Sequence, residues 1–265
     1  MSNLKDVLKN VKYLLLDMDG TVYLGGKLIG NMDKTLDKIR KAGKKIIYLT
    51  NNSSKSVESY YKKLTDMNLF RLGDEVKTSG LAAIDFLKAN RKGKTVRLLG
   101  TTSLKEEFAK NGINVTEDGV ADICVLAYDT ESTYVKLCKF TDNLWANAEY
   151  IATHPDINCP SENKPLPDVG SFIELIKTST GRVPDVIIGK PYKTFGDWLM
   201  REYNAAPEDF MMVGDRLYTD IAFGVNCGFH SLFVLSGEGT EDMVDKSDKK
   251  PEFILDSLND IVEYL

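Results

Sequence analysis

The feature that most constrains the fold is an alternation that runs the length of the chain. Short apolar runs cover residues 11–16, 44–50, 94–100, 122–128, 150–153, 185–188, 210–213 and 231–235. Runs of this length, rich in β-branched and aromatic residues and bounded by turn residues, read as buried strands. Between them, helices are expected over residues 33–42, 79–89, 103–110, 132–148, 171–180, 194–203 and 219–227, with a last strand and helix after Glu252. A further helix is expected to about residue 67, with Ser53 and Ser54 as N-cap candidates. Gly43 is placed to stop the first helix. Strands that alternate with helices build a mostly parallel sheet with helices on both faces. Residues 154–170 break the rhythm with Pro155, Pro160, Pro165 and Pro167, and long irregular connections of this kind are often functional.

Four of the runs lead into reactive clusters. Asp17-Met18-Asp19-Gly20-Thr21 follows the first, and Thr50-Asn51-Asn52 closes the second. Gly189-Lys190-Pro191 follows residues 185–188, and Gly214-Asp215-Arg216 follows 210–213, with Asp220 five residues beyond Asp215. Ligands of open parallel sheets bind outside the carboxyl ends of the strands. If these four strands are neighbours in one sheet, the clusters converge at one edge. Asp17 and Asp19 repel each other there unless a cation, a proton or both intervene. A divalent metal beside a carboxylate nucleophile is the chemistry that this pair suggests. The clusters together supply what phosphoryl transfer needs: an attacking carboxylate, a metal and a lysine to offset charge, and hydroxyl and amide donors for the phosphoryl oxygens.

The segments DMDGT, LTNNS, GKP and GDRLYTD resemble, in order, the four motifs of the haloacid dehalogenase (HAD) superfamily. DMDGTVYLGG, LTNNSS and GDRLYTDI resemble its NagD-type, p-nitrophenylphosphatase-like branch. The resemblance implies an α/β fold with a doubly wound, Rossmann-like parallel-sheet core at residues 1–78 and 184–265. A large inserted α/β cap of type C2 is implied at residues 79–183. The implied activity is Mg²⁺-dependent hydrolysis of small phosphomonoesters, nucleotide, sugar or other. Carried onto this sequence, Asp17 attacks phosphorus and forms an aspartyl-phosphate. Asp19 protonates the leaving alcohol and then takes a proton from the hydrolytic water. Asp17, Asp215 and the backbone carbonyl of Asp19 hold Mg²⁺. Thr50 and Asn51 bond the phosphoryl oxygens, with Asn52 close by. Lys190 offsets charge on the phosphoryl group and Asp17, while Asp220 orients Lys190 or an outer water on the metal. ATHPDINCP resembles the cap loop that faces the substrate, which makes His154, Asp156, Asn158 and Cys159 candidates for substrate contact. A cap tethered near residues 79 and 184 is expected to open and close. Cap-to-cap homodimers are compatible with the resemblance.

Composition narrows the alternatives. The 265 residues carry a net charge of -5, which argues against a nucleic-acid polymer as partner. No stretch approaches the roughly 20 apolar residues of a membrane span. The N-terminal MSNLKDVLKN lacks a leader's apolar core, and the four scattered cysteines suit a reducing cytoplasm. His230, Trp145 and Trp198 read as structural or core residues. Two other readings fit an Asp and Mg²⁺ on such a fold: a phospho-accepting signalling module and a non-catalytic ligand-binding protein. A signalling module lacks the second acid, Asp19, which turns a stored aspartyl-phosphate over.

Overall fold

The structure is a computed structural model that describes residues 3–160 and 164–265. Residues 161–163, within the irregular connection at 154–170, lie outside the described residues, as do residues 1 and 2 of the N-terminal segment. The chain forms two compact units. The first takes the chain up to Thr50, then Tyr60–Lys77 and Lys190–Leu265, and the second takes Asn51–Ser59 and Thr78–Gly189.

The first unit is built on a six-stranded sheet in the order Phe253–Leu255, His230–Val234, Phe210–Gly214, Tyr13–Leu16, Lys45–Thr50, Glu75–Thr78. From Tyr13–Leu16 the chain first adds strands on one side, then returns to add the rest on the other. That reversal makes the sheet doubly wound and places a switch point beside the central strand, where such sheets bind ligands. Tyr13–Leu16 runs parallel to both neighbours, with Leu16 opposite Val213 on one side and Tyr48 on the other. Leu14, Leu15, Leu16, Ile46, Ile47, Met211, Met212 and Val213 are fully buried, as a parallel sheet covered on both faces requires. The helix Met32–Lys41 ends where expected, with Gly43 at φ +78 beyond its last turn. Several elements of this unit had no strong sequence signal, among them the helix Leu4–Asn10, the strand Glu75–Thr78, the helix Glu241–Lys246 and a small hairpin pairing Tyr23–Leu24 with Lys27–Leu28. The hairpin turns on Gly25 at φ +59, and two-residue strands are too short to show alternation. The segment expected as one helix at 219–227 opens as a wide π turn, Leu217–Ile221, before Ala222–Cys227. The final helix, Leu258–Tyr264, is a 3₁₀ helix.

The second unit holds a five-stranded parallel sheet in the order Val186–Ile187, Glu149–Ala152, Ile123–Leu126, Thr95–Leu99, Asn114–Val115. Its helices start on side-chain caps: Thr78, Thr101 and Thr133 accept from the backbone three residues on, and Asp168 accepts from Val169 N. Leu99, Leu126, Phe140, Tyr150, Val169 and Ile176 pack one core cluster between helices and sheet. The irregular connection contains a short antiparallel pair, Asn158–Cys159 with Leu166–Pro167.

Four expectations need correction. The strand at 186–187 does not join the first sheet: it pairs with Ile151 and Ala152, and Gly189 N continues that ladder to Thr153 O over 2.8 Å. Ser53 and Ser54 do not cap a helix, which begins only at Val57. Ser53 Oγ instead meets Thr153 Oγ1 at 3.0 Å and accepts from Tyr128 N over 2.9 Å. Trp145 is 66% exposed rather than core, although Trp198 is buried as expected. His154, a candidate for substrate contact, is fully buried instead of facing a ligand space, with Nδ1 at 3.1 Å from Thr153 Oγ1 and Nε2 at 3.0 Å from Asp168 Oδ1. Among the described residues no helix is long and apolar enough to cross a membrane, and all four cysteines are free.

Candidate active site

Three of the four clusters lie at the carboxyl ends of adjacent strands in the first unit. Asp17 follows Leu16, Thr50 ends Lys45–Thr50, and Asp215 follows Gly214. Asp17 N donates to Val213 O over 2.9 Å, so the ladder with the neighbouring strand carries through to the acid itself. The chain then turns sharply. Gly20 takes φ +86, which strains any residue with a side chain, and its N–H donates to Tyr23 O over 2.8 Å.

Lys190 reaches this edge by another route. Gly189 is the last residue of the second unit and Lys190 the first of the chain's return to the first. Its ammonium, 2% exposed, donates to Asp17 Oδ1 over 2.7 Å, to Asp220 Oδ1 over 2.6 Å and to Leu49 O over 3.4 Å. Burial lowers its pKa, but Asp17 and Asp220 outweigh that and raise it, so Lys190 stays charged. Asp220 sits in the π turn against the backbone of Gly214, where a Cβ would come within 2.3 Å of Asp220 Cβ. Its second oxygen accepts from Arg216 N over 3.2 Å. Burial pushes the Asp220 carboxyl up to about 8, a rise that Lys190 opposes only in part.

Asp215 completes an acidic cluster: carboxylate oxygens of Asp17, Asp215 and Asp220 lie within 4.8 Å of one another. Burial, and next the charge of Asp17, push the Asp215 carboxyl up to about 6. Its Oδ2 accepts from Glu238 N over 2.7 Å, while its buried Oδ1 has no hydrogen-bond partner among the described residues. Glycines make room around it: a Cβ on Gly20 would lie 2.3 Å from Asp215 Oδ2, and one on Gly237 2.0 Å. Converging hard oxygens, one of them orphaned and buried, suit a divalent cation. Asp19 is half-buried, and burial raises its pKa, with the charge of Lys63 as the main opposing influence.

The other candidates belong to the second unit. Asn51 Nδ2 donates to both Asp156 oxygens, over 3.1 and 3.2 Å, and its carbonyl accepts from Ser79 Oγ. Asn52 Oδ1 accepts from Ser54 N over 2.9 Å and Ser54 Oγ over 2.8 Å, and its Nδ2 lies 3.8 Å from Cys159 Sγ. Asn158 is exposed, and Asp156 and Cys159 are partly so. His154 is buried and bonded to Thr153 and Asp168, and Asp168 also caps the helix Val169–Thr180.

The sequence reading missed one strand-end cluster. His230–Val234 neighbours Phe210–Gly214, and the segment after it wraps Asp215. Ser236 Oγ donates to Gly20 O over 2.7 Å, and Gly239 N to Asp215 O over 3.0 Å. The signal was present in FVLSGEG, a polar cluster closing an apolar run.

Comparisons with known proteins identify the family. A family model described as haloacid dehalogenase-like hydrolase matches residues 14–114, and a second HAD-hydrolase-like model matches 187–261. An acid sugar phosphatase of Staphylococcus haemolyticus is 32% identical over 252 residues, 95% of each chain. The structure of a 4-nitrophenylphosphatase from Thermotoga maritima is 38% identical, with a TM-score of 0.92 over 97% of this chain and 98% of that one. A glycerol phosphate phosphatase from Mycobacterium tuberculosis, solved in complex with magnesium, is 26% identical, with a TM-score of 0.88 over 95% of this chain and 76% of that one. The chain belongs to the haloacid dehalogenase-like hydrolase family, in its NagD-type, p-nitrophenylphosphatase-like branch.

Proposed function

We propose that the protein hydrolyses small phosphomonoesters through an aspartyl-phosphate on Asp17, with Mg²⁺ as cofactor. The observation that carries this reading is Lys190, buried and bonded at once to Asp17 and Asp220, near an Asp215 oxygen with no hydrogen-bond partner among the described residues. Lys190, bonded to Asp17 Oδ1, holds the Asp17 side chain in place for nucleophilic attack. Asp17 Oδ2 attacks phosphorus, and Asp19, whose pKa is raised by burial, gives its proton to the departing alkoxide. Asp19 then takes a proton from the water that opens the acyl phosphate. Thr50 and Asn51 orient the phosphoryl oxygens, with Asn52 beside them. Asp17, Asp215 and the Asp19 carbonyl would hold the cation. Mg²⁺, when bound, offsets phosphoryl charge as the transition state forms.

Sugar phosphates and glycerol phosphate lead the candidate substrates, because relatives named for them match most of this chain. We further propose residues 79–183 as a cap that selects the leaving group through the loop carrying Asp156, Asn158 and Cys159. The phospho-accepting alternative is not favoured, since Asp19 supplies the turnover step such modules lack. Phosphate release from p-nitrophenyl phosphate, with and without Mg²⁺, tests the reading. Borohydride should trap the intermediate as homoserine at position 17, read by mass spectrometry. Full activity in Asp17→Asn would overturn it.

A further inference from the structure

The loop that wraps Asp215 has little of its own to hold its shape. Of Ser236, Gly237, Glu238 and Gly239, only two carry side chains, and glycine leaves a backbone free to take many conformations. Yet the main chain of this loop makes the contacts that orient Asp215. Glu238 N donates to Asp215 Oδ2 over 2.7 Å, and Gly239 N to Asp215 O over 3.0 Å. With Oδ2 taken, the oxygen left for a cation is Oδ1, which has no hydrogen-bond partner among the described residues.

Both side chains of the loop are tied down. Ser236 Oγ donates to Gly20 O over 2.7 Å. Glu238 is held at each carboxylate oxygen: the Tyr218 hydroxyl donates to Oε1 over 2.8 Å, and Arg216 Nε lies 2.9 Å from Oε2. Arg216 and Tyr218 belong to the turn that follows Asp215 itself. A ring is thereby closed. The main chain at Glu238 holds the carboxylate of Asp215, and the chain just beyond Asp215 holds the carboxylate of Glu238. We propose that Glu238 is a positioning residue for the cation site, and that its carboxylate, latched to Tyr218 and Arg216, fixes the glycine-rich loop whose N–H groups set the pose of Asp215. The inference rests on the reading of Asp215 as a ligand of Mg²⁺. Tyr218 then contributes to Mg²⁺ affinity through Glu238, without touching the cation.

Mg²⁺ binding measured by calorimetry tests this on wild type, Glu238→Ala, Tyr218→Phe and the double variant, with melting curves in EDTA to confirm folding. Polar contacts between exposed groups shift an equilibrium about two- to fivefold each. Glu238→Ala, which loses two, should weaken Mg²⁺ about tenfold, and Tyr218→Phe, which loses one, about threefold. The double variant should bind as Glu238→Ala does, because the tyrosine acts only through the glutamate. Tyr218→Phe alters no charge, so its effect does not arise from a changed field at the site. A merely structural contact would lower the melting temperature and leave the affinity as it was. Wild-type affinity in Tyr218→Phe, losses that multiply in the double variant, or a wild type that binds no Mg²⁺ overturns the proposal. If Glu238→Ala does not fold, the affinity of Tyr218→Phe decides alone. The expected pattern of affinities in a protein that releases no phosphate from p-nitrophenyl phosphate would support the latch and remove the phosphatase reading.

Discussion

Lys190 Nζ lies 2.7 Å from Asp17 Oδ1, although the two residues are 173 positions apart in the chain. The same ammonium holds Asp220 at 2.6 Å, so one buried cation serves two carboxylates. Removing it leaves both acids without their counter-ion, and breaking one side of a buried pair costs about 3–5 kcal/mol. Lys190→Met should therefore melt well below wild type and lose about 10²–10³-fold in kcat. The double variant Lys190→Met/Asp220→Asn should be more stable than Lys190→Met alone, because the second change removes a stranded charge. Thermal melts and steady-state kinetics on the three proteins check this; a double variant no more stable than the single one would contradict the pairing.

Gly20 is constrained twice, by φ +86 and by the 2.3 Å that would separate its Cβ from Asp215 Oδ2. Gly20→Ala should displace the Asp215 carboxylate while leaving every acidic residue in the sequence. The expected result is at least a tenfold weaker Mg²⁺ affinity by calorimetry, with far-UV circular dichroism unchanged.

Metal removal should have a separate signature in stability. A ligand at about 100 times its Kd adds about 2.7 kcal/mol to the folded state. Chelation should abolish turnover and lower the melting temperature, and Mg²⁺ should restore both. Asp215→Asn should lose the Mg²⁺-dependent rise in melting temperature. A rise of wild-type size in that variant would remove Asp215 from the cation site.

A pH effect is expected far from the reaction. Glu75 is reached by Lys45, by Lys77 at 2.9 Å and by the Tyr203 hydroxyl at 2.8 Å. Burial would raise its carboxyl, but these hydrogen bonds outweigh it and hold the pKa at about 2, below the ordinary 4.5. A depressed carboxylate contributes stability that is complete above its unfolded value and lost as pH falls through the folded one. Wild type should therefore lose melting temperature between pH 4.5 and 2. Glu75→Gln should start lower at pH 7 and change less over that window.

Much of this architecture was legible because it rests on local signals. Asp17 and Asp215 follow strands whose residues are buried on both faces, and such strands show as plain apolar runs. Adjacent strand ends then bring Asp17, Thr50 and Asp215 together. The route of Lys190 was not legible. Residues 185–188 look like any other buried run, and only the pairing of Val186 with Ile151 assigns them to the second sheet. His154 looked like a loop residue because nothing in the sequence announces that Asp168, fourteen residues on, will bond its Nε2. Ser53 and Ser54 stand where caps belong, yet Ser53 is taken up by Thr153 and Tyr128, contacts of long sequence separation.

The glycines around the acids carry a further consequence. Gly20, Gly214 and Gly237 approach Asp215 or Asp220 so closely that a single methyl group would occupy space held by carboxylate or side-chain carbon. The inner wall of the site is main chain, and main-chain shape is invisible to any inventory of reactive side chains. A chain with all four aspartates and the lysine in register, but alanine at the position of Gly237, would pass such an inventory and be a pseudoenzyme. Sorting active members from silent ones therefore turns on residues that contribute no chemistry.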